Sequence, residues 1–114
     1  MLEYDRVIEF KEIAPVMCLL KKGRVATMRK TKYSNARILL VKHRGIPVAL
    51  AKVDNVVPCE DGYIDLYTPW SGFRNKKTWI QVAKRLHGGK LPLYIIVLRK
   101  VKSLRNFRTL DEFR

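Results

Sequence analysis

Acidic residues, cysteine and histidine are all scarce in this chain of 114 residues. The two cysteines and the two histidines are scattered, so the closely paired ligands of a structural zinc site are missing. No stretch approaches the ~18 consecutive apolar residues of a membrane span, and the acidic, alternating start MLEYDRVIEF is unlike a signal peptide. These shortages predict a cytoplasmic protein with reduced thiols, no metal, no cofactor and no membrane association.

The 10 Asp and Glu residues are also unevenly placed against 24 Lys and Arg, which give the chain a net charge of +14. Residues 13–53 contain ten Lys and Arg and no acid, and residues 66–110 contain eleven and again no acid. Cations without neighbouring carboxylates predict a broad positive field on the folded surface. This field favours a polyanionic partner, nucleic acid above all; a solvated surface that serves only solubility is the alternative.

The length and the 47% apolar content are typical of one globular domain. Hydrophobic periodicity predicts strands at 4–10, 24–29, 36–43, 47–57 and 91–101, and helices at 12–22 and 75–87. Gly23 is expected to end the first helix; Asn75 is expected to cap the second helix, which the HGG segment ends. The HRGIP segment predicts a hairpin turn between the third and fourth strands. Residues 103–114 are expected to form an appendage, a short helix begun at Ser103 or Thr109, to a domain of residues 1–102.

These elements predict an α+β fold, a small closed or nearly closed β-barrel of about five to six strands whose ends are covered by two main helices. The chain contains no internal repeat, low-complexity tract or linker. One barrel domain is therefore expected to carry the whole function.

Two short motifs stand at defined places in this order of elements. GRVATMR follows the first helix, and SGF directly precedes the second. The matching residues are Gly23, Arg24, Thr27 and Arg29 in the first motif and Ser71, Gly72 and Phe73 in the second. Together with the element order, the motifs resemble the ASCH domain of the PUA-like superfamily over residues 6–102. The resemblance implies a PUA-like barrel with an RNA-facing cleft, in a family whose members bind or process RNA, hydrolyse acetylated cytidine or cut RNA.

Two departures from the family pattern weigh against catalysis. In the hydrolases of that family, a lysine would stand in place of Arg24 and a glutamate in place of Ser71. Arginine keeps its proton at any accessible pH, and a serine without an adjacent base does not transfer protons. We therefore expect no catalytic residue; a small ribonuclease or nucleoside hydrolase that uses Lys22, Thr27 or a tyrosine is the alternative.

The first candidate binding segment is the basic stretch KKGRVATMRK. In a strand, Arg24 and Lys30 share one face and Thr27 and Arg29 share the other, so neither face is uniformly apolar. Such a strand is expected at the barrel rim, beside a cleft. Guanidinium groups there would hold phosphate, and Thr27 would donate to a phosphate or a base edge, unless it is an ordinary strand residue.

The second candidate segment, residues 63–77, interleaves aromatic rings with cations, as single-stranded bases and their phosphates require. Tyr67 and Trp70 are expected to be exposed in a loop. Asp61 and Asp65 are acids that could bind a metal, but such pairs are more often solvated or paired with arginine. The candidate nucleic-acid-binding residues are Lys22, Arg24, Thr27, Arg29, Lys30, Tyr67, Trp70, Ser71, Arg74, Lys76 and Lys77.

The sequence thus predicts a monomeric nucleic-acid-binding protein that takes RNA in preference to DNA in a basic cleft at the barrel rim. Two alternatives stay open: the small hydrolase, and a protein-interaction module whose basic surface meets an acidic partner.

Overall fold

The computed structural model describes residues 3–34 and 36–104, which form five strands and four helical segments. The strands are β1 (Arg6–Phe10), β2 (Arg24–Arg29), β3 (Leu39–His43), β4 (Ile46–Pro58) and β5 (Tyr94–Ser103). The helices are α1 (Ile13–Lys22), α2 (Asp61–Tyr67), α3 (Lys76–Leu86) and a 3-10 helix, Thr68–Trp70, that follows α2 directly. All of the predicted strands and both predicted main helices are present.

The strands form one sheet in the order β1, β3, β4, β5, β2. β1 runs parallel to β3, and the other neighbouring pairs are antiparallel. The sheet curls until its two edge strands meet at their ends, where the guanidinium carbon of Arg29 lies 4.5 Å from the centroid of the Phe10 ring. The result is an α+β fold built on a curled half-barrel, which confirms the expected barrel-like class. The described residues form three α-helices, where two main helices were expected.

Local turn chemistry ends two elements as predicted. Gly23 follows α1 with a φ of 79°, and its N–H donates to the Leu19 carbonyl oxygen at 2.9 Å. The hairpin turn between β3 and β4 places Arg44 and Gly45 in the left-handed region, with φ values of 49° and 82°. Positive φ at both central residues is what a two-residue hairpin turn of this kind requires.

Two apolar clusters lie on opposite faces of the sheet, because alternate residues of β5 point in opposite directions. Ile96 and Leu98 join the cluster beneath α1, whereas Ile95 and Val97 join the cluster beneath α2 and α3. β2 lies between the two clusters, and its central residues 25–28 are buried. β2 is an edge strand of the sheet, but its middle is buried in the core and only its two ends reach the surface, so the prediction that the whole segment lies at the rim is not met.

The cap of α3 is a side chain of the predicted type. The Oδ1 atom of Asn75 accepts a hydrogen bond from the Thr78 N–H at 2.8 Å. Asn75→Ala removes this acceptor, so we expect the free energy of unfolding to fall by about 1 kcal/mol and the melting temperature by about 4–8 °C. Thermal unfolding followed by far-UV circular dichroism measures the shift. Asn75→Asp keeps the acceptor and should melt like the parent; equal losses in both variants would contradict the capping role.

The segment between β4 and α3 differs from the prediction. Tyr67 and Trp70 lie in α2 and the 3-10 helix, where both are half-buried against the core, so the prediction that they stand exposed in a loop is wrong. The SGF turn that follows places Gly72 at a φ of 87°, against the start of α1. A Cβ added there would lie 2.4 Å from the Ala14 carbonyl oxygen. Packing, rather than solvent exposure, fixes the aromatic residues of this segment.

The expected C-terminal helix falls largely outside the described residues. β5 continues to Ser103, so a helix does not begin there, and Thr109 lies outside the described part of the chain. Cys18 and Cys59 are both free thiols, and burial raises the pKa of each. No helix in the described ranges combines the length and the apolar character needed to cross a membrane.

Candidate nucleic-acid interface

A row of three cations crosses neighbouring strands at the end of the sheet where β2 begins. Arg24 of β2 stands opposite Arg99 of β5, and Arg99 stands opposite Lys52 of β4. Opposed residues point to the same face and neighbouring strands lie ~4.8 Å apart, so the row spans ~10 Å. We call Arg24, Lys52 and Arg99 the cationic row. Lys52 and Arg99 are exposed, and Arg24 is half-buried.

One carboxylate, that of Asp54, lies beside the cationic row. Its Oδ2 atom accepts a hydrogen bond from Nη2 of Arg24 at 3.1 Å, and its Oδ1 atom lies 3.9 Å from Nε of Arg99. Solvent-exposed ion pairs of this kind contribute at most about 1 kcal/mol, so their main effect is to orient the guanidinium groups. A single carboxylate shared by two arginines leaves the row with a net positive charge.

Trp70, the last residue of the 3-10 helix, lies against the same cations. The ring centroid is 5.5 Å from the guanidinium carbon of Arg24 and 5.6 Å from Nζ of Lys22, both within the range of a cation–π contact. Nζ of Lys22 also donates to the Pro69 carbonyl oxygen at 3.1 Å. The Cys18 thiol donates to the carbonyl oxygens of Arg24 and Trp70, at 3.3 and 3.4 Å. Trp70 therefore holds two cations in place instead of standing free.

These contacts define one surface, which we call the Trp70 surface. It consists of Lys22, Arg24, Lys52, Trp70 and Arg99, with Asp54 at its centre. Its parts come from α1, β2, β4, β5 and the 3-10 helix, so the fold assembles it from distant stretches of sequence.

A cavity of about 280 Å³ opens at the other end of β2, between β1, α1 and α3. Phe10, Phe73 and Trp79 contribute aromatic walls, and Thr27 and Arg29 contribute polar groups. The volume is close to the lower limit of typical small-molecule sites, about 300 Å³. The predicted site residues of β2 therefore lie in two separate sites, Arg24 in the Trp70 surface and Thr27 and Arg29 in the cavity.

Arg29, at this cavity, is held by contacts but not by a carboxylate. Its Nε donates to Oγ1 of Thr27 at 3.1 Å, and its guanidinium lies over the Phe10 ring. Burial lowers the pKa of Arg29, and the influence of Tyr33 and Glu9 opposes this only in part. No carboxylate of the described residues forms an ion pair with it. A partly desolvated cation without an ion-pair contact favours an anionic ligand.

His87 follows α3 and lines the same cavity. Burial lowers the pKa of His87, and the positive charges of Arg29 and Lys30 lower it further. Lys11 acts in the same direction, whereas a hydrogen bond with the Met28 backbone opposes the shift. Since the ordinary pKa of histidine is about 6.5, the imidazole is neutral at neutral pH. The cavity thus combines fixed cations with a group that can take up a proton.

The structure does not bring Arg24 and Arg29 into one cleft. They stand at opposite ends of β2, ~17 Å apart, and their side chains point to opposite faces of the strand. Arg24 belongs to the Trp70 surface, and Arg29 belongs to the cavity with Thr27. Lys30 is exposed and acts electrostatically on His87, so it belongs to the cavity side.

Two further candidate binding residues, Ser71 and Tyr67, are engaged in contacts within the protein. Ser71 is fully buried; its hydroxyl donates to the Thr68 carbonyl oxygen at 2.7 Å and accepts from the Phe73 N–H at 3.1 Å. The Tyr67 hydroxyl accepts from Nδ2 of Asn55 at 3.3 Å, and its ring packs on the core. Ser71 has a structural role in the turn and does not face a ligand.

Lys76 is neutralised by its neighbours in α2. Its Nζ lies 3.0 Å from an oxygen of Asp65 and 3.2 Å from one of Asp61, and these hydrogen bonds raise the pKa of Lys76. The two acids considered for a metal are thus held by a lysine, and the described residues contain no group of three or more His, Cys, Asp or Glu suited to a metal ion. Arg74 and Lys77 are exposed and make no ion pair with the described residues.

The sequence reasoning missed Lys52, Asp54, Arg99 and His87. The first three lie in predicted strands, but only the register among β2, β5 and β4 aligns them with Arg24. The sequence contains a weak signal for these residues, because Lys52 and Arg99 are charged residues in mostly apolar strand segments. In the sequence, His87 is an isolated histidine at the end of a predicted helix, and its cavity forms only by long-range contact.

No family model, curated protein or solved structure matches this chain. The function is therefore inferred from the two candidate sites at the ends of β2, the Trp70 surface and the cavity. The Trp70 surface presents charge at one end of the sheet, whereas the cavity encloses a space of small-molecule size.

Proposed function

We propose that this protein binds single-stranded RNA at the Trp70 surface, as an ASCH-type member of the PUA-like superfamily that acts as a cytoplasmic monomer. The observation that supports the proposal is the cationic row beside the Trp70 ring. Four cations, Lys22, Arg24, Lys52 and Arg99, lie there with one carboxylate, that of Asp54, which contacts Arg24 and Arg99. A surface of this charge attracts a polyanion.

The arginines of the surface are suited to phosphate. Arg24 is fixed between the Trp70 ring and the Asp54 carboxylate, yet 42% of its side chain is exposed, and Arg99 is 56% exposed. A guanidinium presents two parallel N–H groups to two phosphate oxygens. Because Arg24 is already ordered, it loses less side-chain entropy when it binds.

The combination of an aromatic ring with exposed cations favours the binding of a single RNA strand over that of a duplex. The bases of a single strand are unstacked and can lie against an aromatic ring or a guanidinium plane. A duplex keeps its bases stacked and would offer this surface only phosphates. The Trp70 surface therefore supports binding with weak dependence on base sequence.

The hydrolase alternative has less support. Its acid–base chemistry would fall on positions 24 and 71, where Arg24 pairs with Asp54 and the buried Ser71 hydroxyl is engaged in the turn. Neither group is placed to accept a proton from a substrate.

Binding to a labelled single-stranded RNA, measured by fluorescence anisotropy over a series of salt concentrations, tests the proposal. If about four to six phosphates are contacted, the logarithm of the association constant should fall with the logarithm of salt with a slope of about −3 to −4. The duplex of the same sequence should bind more weakly. Salt-insensitive binding, or no binding at low salt, would instead support an acidic protein partner.

A further inference from the structure

We infer that the cavity between β1, α1, β2 and α3 is a second binding site, for a compact ligand with an apolar ring and a phosphate monoester. The ring would pack against Phe73 and Trp79, and the phosphate would lie between Arg29 and His87. The site lies at the opposite end of β2 from the Trp70 surface and does not depend on strand binding there.

The shape and lining of the cavity support a ring of modest size. Its volume of about 280 Å³ is at the small end of ligand sites, near 300 Å³. Most of the wall is apolar, with Phe10, Phe73 and Trp79 as the aromatic members. Aromatic walls bind a flat ring by stacking and by burial of apolar surface.

The charge at Arg29 supports an anionic group on that ring. Arg29 is half-buried, its guanidinium lies over the Phe10 ring, and its Nε donates to Thr27. Tyr33 and Glu9 offset its desolvation only in part, and it forms no ion pair with the described residues. A partly desolvated cation without an ion-pair partner is stabilised when an anion contacts it directly.

The acids that line the cavity are already engaged. An Oε1 atom of Glu9 accepts from the Gly45 N–H at 2.6 Å, and Oε1 of Glu12 accepts from Nη2 of Arg85. The exposed side chain of Lys11 also lines the space. Glu12 is thus neutralised by Arg85, whereas Glu9 keeps its negative charge beside Arg29. Arg29, Lys11 and Lys30 outnumber that one charge, so an incoming anion still meets a net positive field.

His87 couples this binding to pH. The charged groups around it are Glu9 of β1, Lys11 and Glu12 between β1 and α1, Arg29 at the end of β2, and Lys30 directly after it. Arg85 of α3 pairs with Glu12. Without a ligand, the surrounding cations and burial keep its pKa low. A bound phosphate favours the protonated imidazole, so it raises the pKa of His87. Affinity is then highest below the pKa of the free protein and falls as pH rises through the pKa of the complex.

Isothermal titration calorimetry with adenosine 5′-monophosphate, adenosine and inorganic phosphate tests the inference. The monophosphate should bind at least about 10-fold more tightly than adenosine, as expected for one charge-assisted contact. Arg29→Gln should abolish that difference, whereas the matched control Arg74→Gln, an exposed arginine outside the cavity, should retain it. Equal binding of adenosine and its monophosphate, or full binding by Arg29→Gln, would overturn the inference.

An NMR titration of the His87 imidazole in the unaltered protein gives a test that does not depend on a variant's folding. Saturation with adenosine 5′-monophosphate should raise the pKa of His87, and an unchanged pKa would overturn the inference. His87→Gln should bind the monophosphate with a weaker pH dependence; the titration of the phosphate itself is common to both proteins and cancels in this comparison. A short RNA with and without a 5′-phosphate distinguishes a strand end from a free nucleotide as the source of the phosphate.

Discussion

Replacing Arg24 and Arg99 with glutamine is expected to weaken binding of single-stranded RNA by about 100-fold, because each charge-assisted phosphate contact contributes about 1.5–3 kcal/mol. Both arginines lie in the cationic row and contact Asp54, so the double change also leaves that carboxylate without its partners, facing the phosphates. Fluorescence anisotropy at fixed salt measures the loss. The slope against salt should become less negative by about 1.4 if two phosphate contacts of a single strand are removed.

The matched control is Lys84→Gln with Lys90→Gln. Both lysines are exposed, and neither forms an ion pair with the described residues. The control removes equal charge away from the Trp70 surface, so only the long-range field changes and a loss of a few-fold is expected, about 2–5-fold. All variants should melt like the parent. If the control pair weakens binding as much as the arginine pair, binding is diffuse and the Trp70 surface is not the site.

The local elements of this fold could be predicted because their signals are local. Gly23 ends α1, Asn75 caps α3, and the Arg44–Gly45 turn joins β3 to β4, each with the chemistry read from a few neighbouring residues. The α2 helix and the 3-10 helix were missed, because residues 61–70 contain glycine, proline and aromatic residues that are typical of a loop. Packing of Ile64 and Trp70 on the core overrides that weak helical propensity.

The candidate site could be predicted only in part, for a geometric reason. The sequence predicts that Arg24 and Arg29 lie on one strand, and in the structure they lie at the two ends of β2, Arg24 beside Trp70 and Arg29 at the cavity. What joins Arg24 to Lys52 and Arg99 is the register of three strands, including a shift between residues 53 and 55 of β4. Register of this kind depends on which faces pack against the helices, and no single stretch of sequence contains it.

Gly72→Ala is expected to lower the free energy of unfolding by about 3 kcal/mol and the melting temperature by about 10–20 °C. The glycine has a φ of 87°, which an alanine adopts only with strain. In addition, the new Cβ would lie 2.4 Å from the Ala14 carbonyl oxygen and 2.7 Å from the Pro15 nitrogen. These are backbone atoms of α1 that no side-chain rotation can move, so the helix or the turn has to shift.

Gly62→Ala provides the matched control for this change. Gly62 lies within α2, and a Cβ added there meets no atom within 4 Å. Alanine is the better helix former, so this variant should gain about 0.5–1 kcal/mol. Differential scanning calorimetry of both variants should therefore show shifts of opposite sign. If Gly72→Ala melts within a few degrees of the parent, the close contact between the SGF turn and α1 is not what holds Trp70 and the Trp70 surface in position.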